Sequence, residues 1–256
     1  MTDWNAAQYL KFSGERTRPS IDLARRISLQ SPQRILDIGC GPGNSTKVLA
    51  DQFPAAYILG IDNSQNMIDT AKAAYPQLDF QLCDAHTSLA CLDGPFDIVF
   101  SNACIQWIPD HPRLLREMMA LLQPGGVLAV QVPMNSQEPI HQILSRLAAS
   151  ARWAPKLGTP RIFYTLTQSQ YFDLLSEIAA DFTLWQTTYF HRLDSHKDIL
   201  EWYRSTGLRP YLQALSPADG TAFEQEIYSA LTEAYPTQKN GEIIFRFPRF
   251  FFIAEK

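Results

Sequence analysis

Between residues 34 and 132, short apolar runs alternate with amphipathic stretches. Residues 34–38, 57–62, 78–83, 96–101 and 127–132 read as strands. Residues 45–53, 64–75 and 112–122 carry the spacing of helices. The boundaries are marked chemically: Pro54 ends the first helix, Ser64 is placed as an N-cap, and Pro124-Gly125-Gly126 stops the third. Repeated strand–helix units of this length predict an α/β fold, a parallel, doubly wound sheet with right-handed crossovers.

On either side the rhythm changes. Residues 2–18 hold Trp4, Tyr9, Leu10 and Phe12 before Arg16 and Arg18. They read as a helix packed by its aromatics, as a lid supplying arginine to a ligand site, or as both. A second helix is expected over 19–27, with Pro19 in its first turn. After Pro133 the pattern gives a helix over 138–150, a loop over 151–166, a helix over 167–178 and a strand over 182–191. Helices over 197–204 and 217–235 flank a turn at Gly207, and a last strand covers 243–254. Pro248 lies inside that strand, where it predicts a bulge or a late start. The expected organisation is one domain: an N-terminal helical lid (1–30), a ligand-binding half (31–135) and helical cap insertions (136–166 and 195–240).

The 256 residues, 46% of them hydrophobic, suffice for one well-buried core, and a net charge of −4 argues against a general nucleic-acid binder. No secretory leader and no apolar run of membrane-spanning length is visible, so a cytoplasmic monomer without a membrane partner is expected. Cys40, Cys83, Cys91 and Cys104 show no C-x-x-C spacing and no paired histidines, which predicts free thiols and no metal site.

The candidate chemistry centres on Ile35-Leu36-Asp37-Ile38-Gly39-Cys40-Gly41-Pro42-Gly43. Glycines 39, 41 and 43 permit positive φ and close approach of a ligand to the backbone. Asp62 ends the second strand, where a carboxylate can accept both hydroxyls of an adenosine ribose. Asp84 follows the third strand in the same relation, within reach of an adenine amino group. A dinucleotide turn would want glycine at position 44, which is Asn, and Pro42 removes a backbone donor that a pyrophosphate would use. The turn therefore suits an adenosyl ligand without phosphates.

The run from Asp37 to Gly43, with Gly60-Ile61-Asp62, Cys83-Asp84-Ala85, Phe96-Asp97-Ile98-Val99 and Leu122-Gln123-Pro124-Gly125-Gly126, resembles the motif series of class I S-adenosylmethionine-dependent methyltransferases. That resemblance implies a seven-stranded sheet with the last strand antiparallel, S-adenosyl-L-methionine as cofactor and S-adenosyl-L-homocysteine as product. Further matches lie outside these motifs. They include Asp3-Trp4-Asn5, Gln106-Trp107, Pro109-Asp110-His111, Thr187-Thr188-Tyr189, Thr206-Gly207-Leu208-Arg209-Pro210 and Phe247-Pro248-Arg249, which are similar to the trans-aconitate 2-methyltransferase family nearly end to end. The implied acceptor is a small polycarboxylate. The cofactor residues read from the turn and the resemblance are Asp37, Gly39, Gly41, Gly43, Asp62, Asn63, Met67, Asp84, Ala85, Asn102 and Trp107.

A carboxylate acceptor is ionised at pH 7, so direct in-line methyl transfer needs no general base, and no catalytic residue is assigned. Arginines suit the spectator carboxylates, and neutral donors suit the reacting one. The clamp candidates are Arg16, Arg209, Arg246 and Arg249; Tyr9, Tyr164, Tyr189, His191 and Trp202 are placed around the pocket. Arg246 and Arg249 share an otherwise apolar run, which predicts that they are not both exposed. For His191, Trp107 and Trp202 the competing role is packing, and for Met67 it is the core. Two rival functions stay open: a methyltransferase for another free or carrier-bound acid, such as malonyl-acyl carrier protein, and a non-catalytic adenosyl-binding protein.

Overall fold

The computed structural model describes residues 13–158, 163–204 and 206–256, with only the backbone of Ser13, Glu15 and Arg16. Seven strands form one sheet in the order β3-β2-β1-β4-β5-β7-β6. They are β1 (Arg34–Ile38), β2 (Tyr57–Asp62), β3 (Asp79–Leu82), β4 (Phe96–Asn102), β5 (Leu122–Pro133), β6 (Asp181–Leu193) and β7 (Ile243–Glu255). β3, β2, β1, β4 and β5 pair in parallel, and β7 runs antiparallel to β5. Helices α1 (Ser13–Ala24), α2 (Asn44–Gln52), α3 (Gln65–Ala74) and α4 (His111–Ala120) accompany the parallel half. Later come α5 (Pro139–Ala148), α6 (Ala154–Leu157), α7 (Gln168–Ile178), α8 (His196–Arg204), α9 (Arg209–Ala214) and α10 (Pro217–Ala234).

The chain separates into two compact units. The first holds the described residues through Pro133, with Phe163–Thr187 and Arg249–Lys256; the second holds the described residues of 134–162 and Thr188–Pro248.

In the first unit Leu36, Ile38, Ile98, Val99, Phe100, Leu128 and Val130 are fully buried, which is why these strands read as continuous apolar runs. Asp97 fastens β4 to the start of β1: its Oδ2 accepts the amide N–H groups of Gln33 and Arg34, each at 2.8 Å. In the second unit the core is aromatic. Trp202, Tyr203, Tyr235, Phe245 and Phe247 are buried, and Trp202 lies against Phe245 and Phe247 at ring distances of 5.8 and 5.9 Å.

Five expectations are corrected. Pro19 does not open a helix but lies within α1. A proline there removes one backbone donor, a cost the surrounding helix absorbs. Pro124-Gly125-Gly126 lies inside β5, producing a register shift between Phe96 and Ile98 on β4. The chain end closes over it: Gly125 N–H donates to the Lys256 carbonyl, and Lys256 N–H to that of Gly126, both at 3.0 Å. Pro248 neither bulges nor delays β7. The β5 ladder ends at Pro133–Arg249, so the missing Pro248 donor falls just past it. The turn after Gly207 leads into α9, and α6 interrupts the expected loop.

Candidate active site

The glycine turn joins β1 to α2. All three of its glycines have positive φ: 75° at Gly39, 54° at Gly41 and 90° at Gly43. Their surroundings differ. A Cβ on Gly39 would lie 2.2 Å from Cys104 Cβ and Sγ, and one on Gly43 would lie 2.7 Å from the Tyr75 ring. Among the described residues, a Cβ on Gly41 would meet nothing within 4 Å. Among the described residues the turn is thus open at Gly41, whereas the other two glycines make room for the protein.

Asp62 closes β2 beside that space. Its Oδ2 accepts the Gly41 N–H at 3.0 Å, and its Oδ1 accepts the Ser64 N–H at 2.9 Å. A carboxylate oxygen accepts more than one hydrogen bond, and both oxygens of Asp62 lie at the turn. Asp37 faces inward. It is fully buried, and its Oδ2 accepts Ser45 Oγ–H at 2.6 Å and Thr46 Oγ1–H at 2.7 Å from the first turn of α2. Its Oδ1 has no partner. Burial pushes its carboxyl up to about 6, against the lowering effect of the two hydroxyls. Burial, reinforced by the charges of Asp62 and Asp37, also raises the Cys104 thiol, which stays protonated.

The other cofactor candidates follow the strand ends. Asn63 is exposed, while Met67 is buried on α3, whose N-cap is Ser64. Asp84 Oδ1 accepts the His86 N–H at 3.0 Å, which shapes the loop after β3, and Ala85 is buried there. Arg113 holds the same loop, donating to the His86 carbonyl at 2.7 Å. Asn102 ends β4 with a buried Oδ1 that has no partner. Trp107 packs on Phe163 at 4.6 Å between ring centres.

Strand register brings several of these residues onto one face. Asp37 pairs with Gly60 and Phe100, Asn102 with Gln131, Gln131 with Phe251, and Pro133 with Arg249. Residues paired in register share a face, and so do residues two apart on a strand. Asp62, Asp37, Asn102, Gln131 and Arg249 therefore form a row across the sheet, acidic at β2 and β1, neutral at β4 and β5, cationic at β7. Arg249 is 7% exposed and donates to Gln131 Oε1 at 3.5 Å. Gln106, whose Oε1 is buried without a partner, accepts the Tyr164 N–H at its carbonyl, 2.9 Å away. Tyr164 itself is 43% exposed.

These features match known proteins. Residues 36–130 fit the model of a methyltransferase domain. The trans-aconitate 2-methyltransferase of Methylobacterium radiotolerans is 42% identical to this chain, across all of it and 99% of the relative. That of Escherichia coli K12 is 40% identical, with the same shares covered. The chain belongs to the trans-aconitate 2-methyltransferase family. It is a methyltransferase with a Rossmann-like fold. The YcgJ protein of Bacillus subtilis has the same fold, with a TM-score of 0.61 at 18% identity over 93% of this chain and 98% of that one. So does phosphoethanolamine N-methyltransferase 2 of Haemonchus contortus in complex with S-adenosyl-L-methionine, at 0.56 and 20% over 93% of this chain and 52% of that one.

The remaining acceptor candidates of this methyltransferase divide. Tyr9 lies outside the described residues, and the Arg16 side chain is not among them. Tyr189, His191, Trp202, Arg209 and Arg246 belong to the second unit. There His191 is buried among aromatic rings, 4.8 Å from Trp202 and 6.1 Å from Phe247. Arg209 opens α9. Arg246 differs from its neighbour candidate: its side chain is 56% exposed and lies 3.6 Å from Glu138. It lies three positions before Arg249, so the strand turns the two to opposite faces, and one is buried while the other is exposed.

Sequence reasoning passed over Gln131, although a polar residue inside Val127–Val132 was a visible signal. It also passed over His141 and Tyr203 of the second unit, which bond at 2.9 Å. Burial lowers His141 to about 4, so the imidazole that shares this bond with the Tyr203 hydroxyl is neutral.

Proposed function

We propose that this methyltransferase esterifies a carboxylate of a small polycarboxylic acid, trans-aconitate, with S-adenosyl-L-methionine as the methyl donor. The observation that carries the acceptor class is the buried Arg249 at one end of a row whose other end is acidic. The planar fork of a guanidinium matches a carboxylate in shape and charge. The full-length likeness to proteins named for trans-aconitate supports the particular acid.

The residues present suit the donor. Among the described residues Gly41 borders open space beside the Asp62 carboxylate, a group suited to ribose hydroxyls, and Asp84 lies one strand further out for the adenine amino group. Asn102 adds an unpartnered acceptor. When bound, S-adenosyl-L-methionine supplies a methyl group on a sulfonium, which leaves as a neutral thioether.

No proton moves in such a transfer, because the acid is already ionised at neutral pH. The chain's contribution is alignment, for which positioning alone is worth about 7–11 kcal/mol. Anion and cation merge as the bond forms, so a dry site favours the step. Arg249 holds a spectator carboxylate. Roles for Tyr9, Arg16, Tyr164, Tyr189, His191, Trp202, Arg209 and Arg246 in acceptor recognition are proposed residue by residue.

Labelled donor incubated with a panel of di- and tricarboxylates, with products identified by mass, tests this reading. A monomethyl ester of trans-aconitate is expected as the principal product. Preferential methylation of a carrier-bound acid, or of no acid, would reject it.

A further inference from the structure

Gln131 is an amide set into an apolar strand, fully buried, and only half satisfied. Arg249 Nη1 donates to its Oε1. A guanidinium has no acceptor, so this contact settles which way the amide lies: Oε1 faces Arg249 and Nε2 faces away from it. Nε2 has no partner. A buried donor left unmade is costly, so a group that accepts from this position is favoured there. Asn102, its register partner on β4, leaves an acceptor unmade in the same way. Along the row, then, an unmet acceptor lies on the acidic side and an unmet donor on the basic side. This polarity matches a cationic donor on β4 and an anionic acceptor on β5.

We propose that Gln131 binds the carboxylate that is methylated, donating from Nε2 to one of its oxygens, with Arg249 as the positioning residue that aims the amide. The assignment rests on the carboxylate-acceptor reading above. It also has a chemical logic. A guanidinium fork on the reacting group would withdraw charge from the attacking oxygen, whereas a neutral N–H orients it with less loss of nucleophilicity. Arg249 thereby serves twice, holding a spectator carboxylate and orienting Gln131.

Gln131→Glu and Gln131→Leu separate this role from a structural one. Glu keeps an acceptor for Arg249 and nearly the same shape, but it replaces the donor with a charge that repels the acid; Leu removes both polar ends. Binding of S-adenosylhomocysteine by calorimetry and the thermal midpoint report whether each variant is folded and holds the cofactor. With both retained, KM for the acid should rise by about tenfold in Gln131→Leu and by more in Gln131→Glu. A purely structural contact would give the reverse order, with Glu the milder change. Wild-type turnover together with an unchanged KM in Gln131→Glu would overturn the assignment alone. If the wild-type protein methylates a different carboxylic acid, trans-aconitate falls and the same variants are compared on that acid. If it methylates no carboxylate, both readings fall together.

Discussion

Three glycines with the same left-handed backbone have three different reasons to be glycine. At Gly39 the obstacle is Cys104, at Gly43 it is Tyr75, and at Gly41 there is none among the described residues. Substitution should separate these reasons. Gly39→Ala combines positive φ with a 2.2 Å overlap against Cys104, so it should destabilise the fold by more than about 2 kcal/mol in urea unfolding. Gly41→Ala carries only the backbone cost, about 1–2 kcal/mol, but should weaken S-adenosylhomocysteine binding because its methyl enters the open space. Equal stability losses in the two variants would reject the distinction. Asp62→Ala should weaken the same binding by about tenfold or more, as expected for two lost charge-assisted hydrogen bonds. Unchanged affinity would remove Asp62 from the ribose role.

Asp37 acts between elements. Its carboxylate ties the end of β1 to the first turn of α2, where partial positive charge from the helix terminus also favours an anion. The tie is made in a dry place, and the carboxyl titrates near 6 rather than 3.8. Between those values the folded state holds a proton that the unfolded chain has lost. The contribution of Asp37 to stability therefore falls as pH rises from about 4 to about 6, by roughly 3 kcal/mol. Asp37→Asn lacks this titration. The stability of Asp37→Asn relative to wild type should climb over the same interval in urea unfolding, and a flat difference would mean that the carboxyl titrates normally. A second tie between elements is the pair His111 and Tyr171, at 2.7 Å between α4 and α7. His111 Nε2–H donates to the Ile105 carbonyl, so Nδ1 accepts from the Tyr171 hydroxyl, consistent with burial holding the imidazole neutral.

Over the whole molecule the two compact units should answer acid differently. In the second, His141 is neutral down to about 4 instead of 6.5, so the unfolded chain gains its proton first and stability is lost as pH falls through that window. Asp219 and Glu242, held below the usual carboxylate range chiefly by hydrogen bonds from Lys156 and Arg192, lose their contribution in the same direction. In the first unit Asp37 works the opposite way. Lowering the pH from 6.5 to about 4.5 should therefore cost amide protection in α5, α8 and α10 before it does so in β1, β4 and β5. Hydrogen exchange followed by mass spectrometry reads this order, and simultaneous loss in both units would contradict it. Among the described residues no helix is long and apolar enough to cross a membrane.

The sequence by itself determined the elements of the parallel half and which residues stand at its strand ends. Strand periodicity and the proline, glycine and serine marks are local properties, and residues such as Asp62, Asp84 and Asn102 were located by position alone because strand ends in such a sheet lie together. Local pattern failed where a neighbour decided the outcome. Pro19 stays helical within α1, and Pro124-Gly125-Gly126 is absorbed into β5 because the Lys256 backbone pairs with it. Only tertiary structure could distinguish Arg246 from Arg249, since composition gives both the same apolar context and strand direction sends them to opposite faces. The same holds for Gln131. Its place in an apolar run was visible, but its meaning came from register, which set it between Asn102 and Arg249, and from burial, which left its donor unmade. Which polar groups remain unsatisfied is a sum over neighbours distant in the chain, and that sum exists only once the chain has folded.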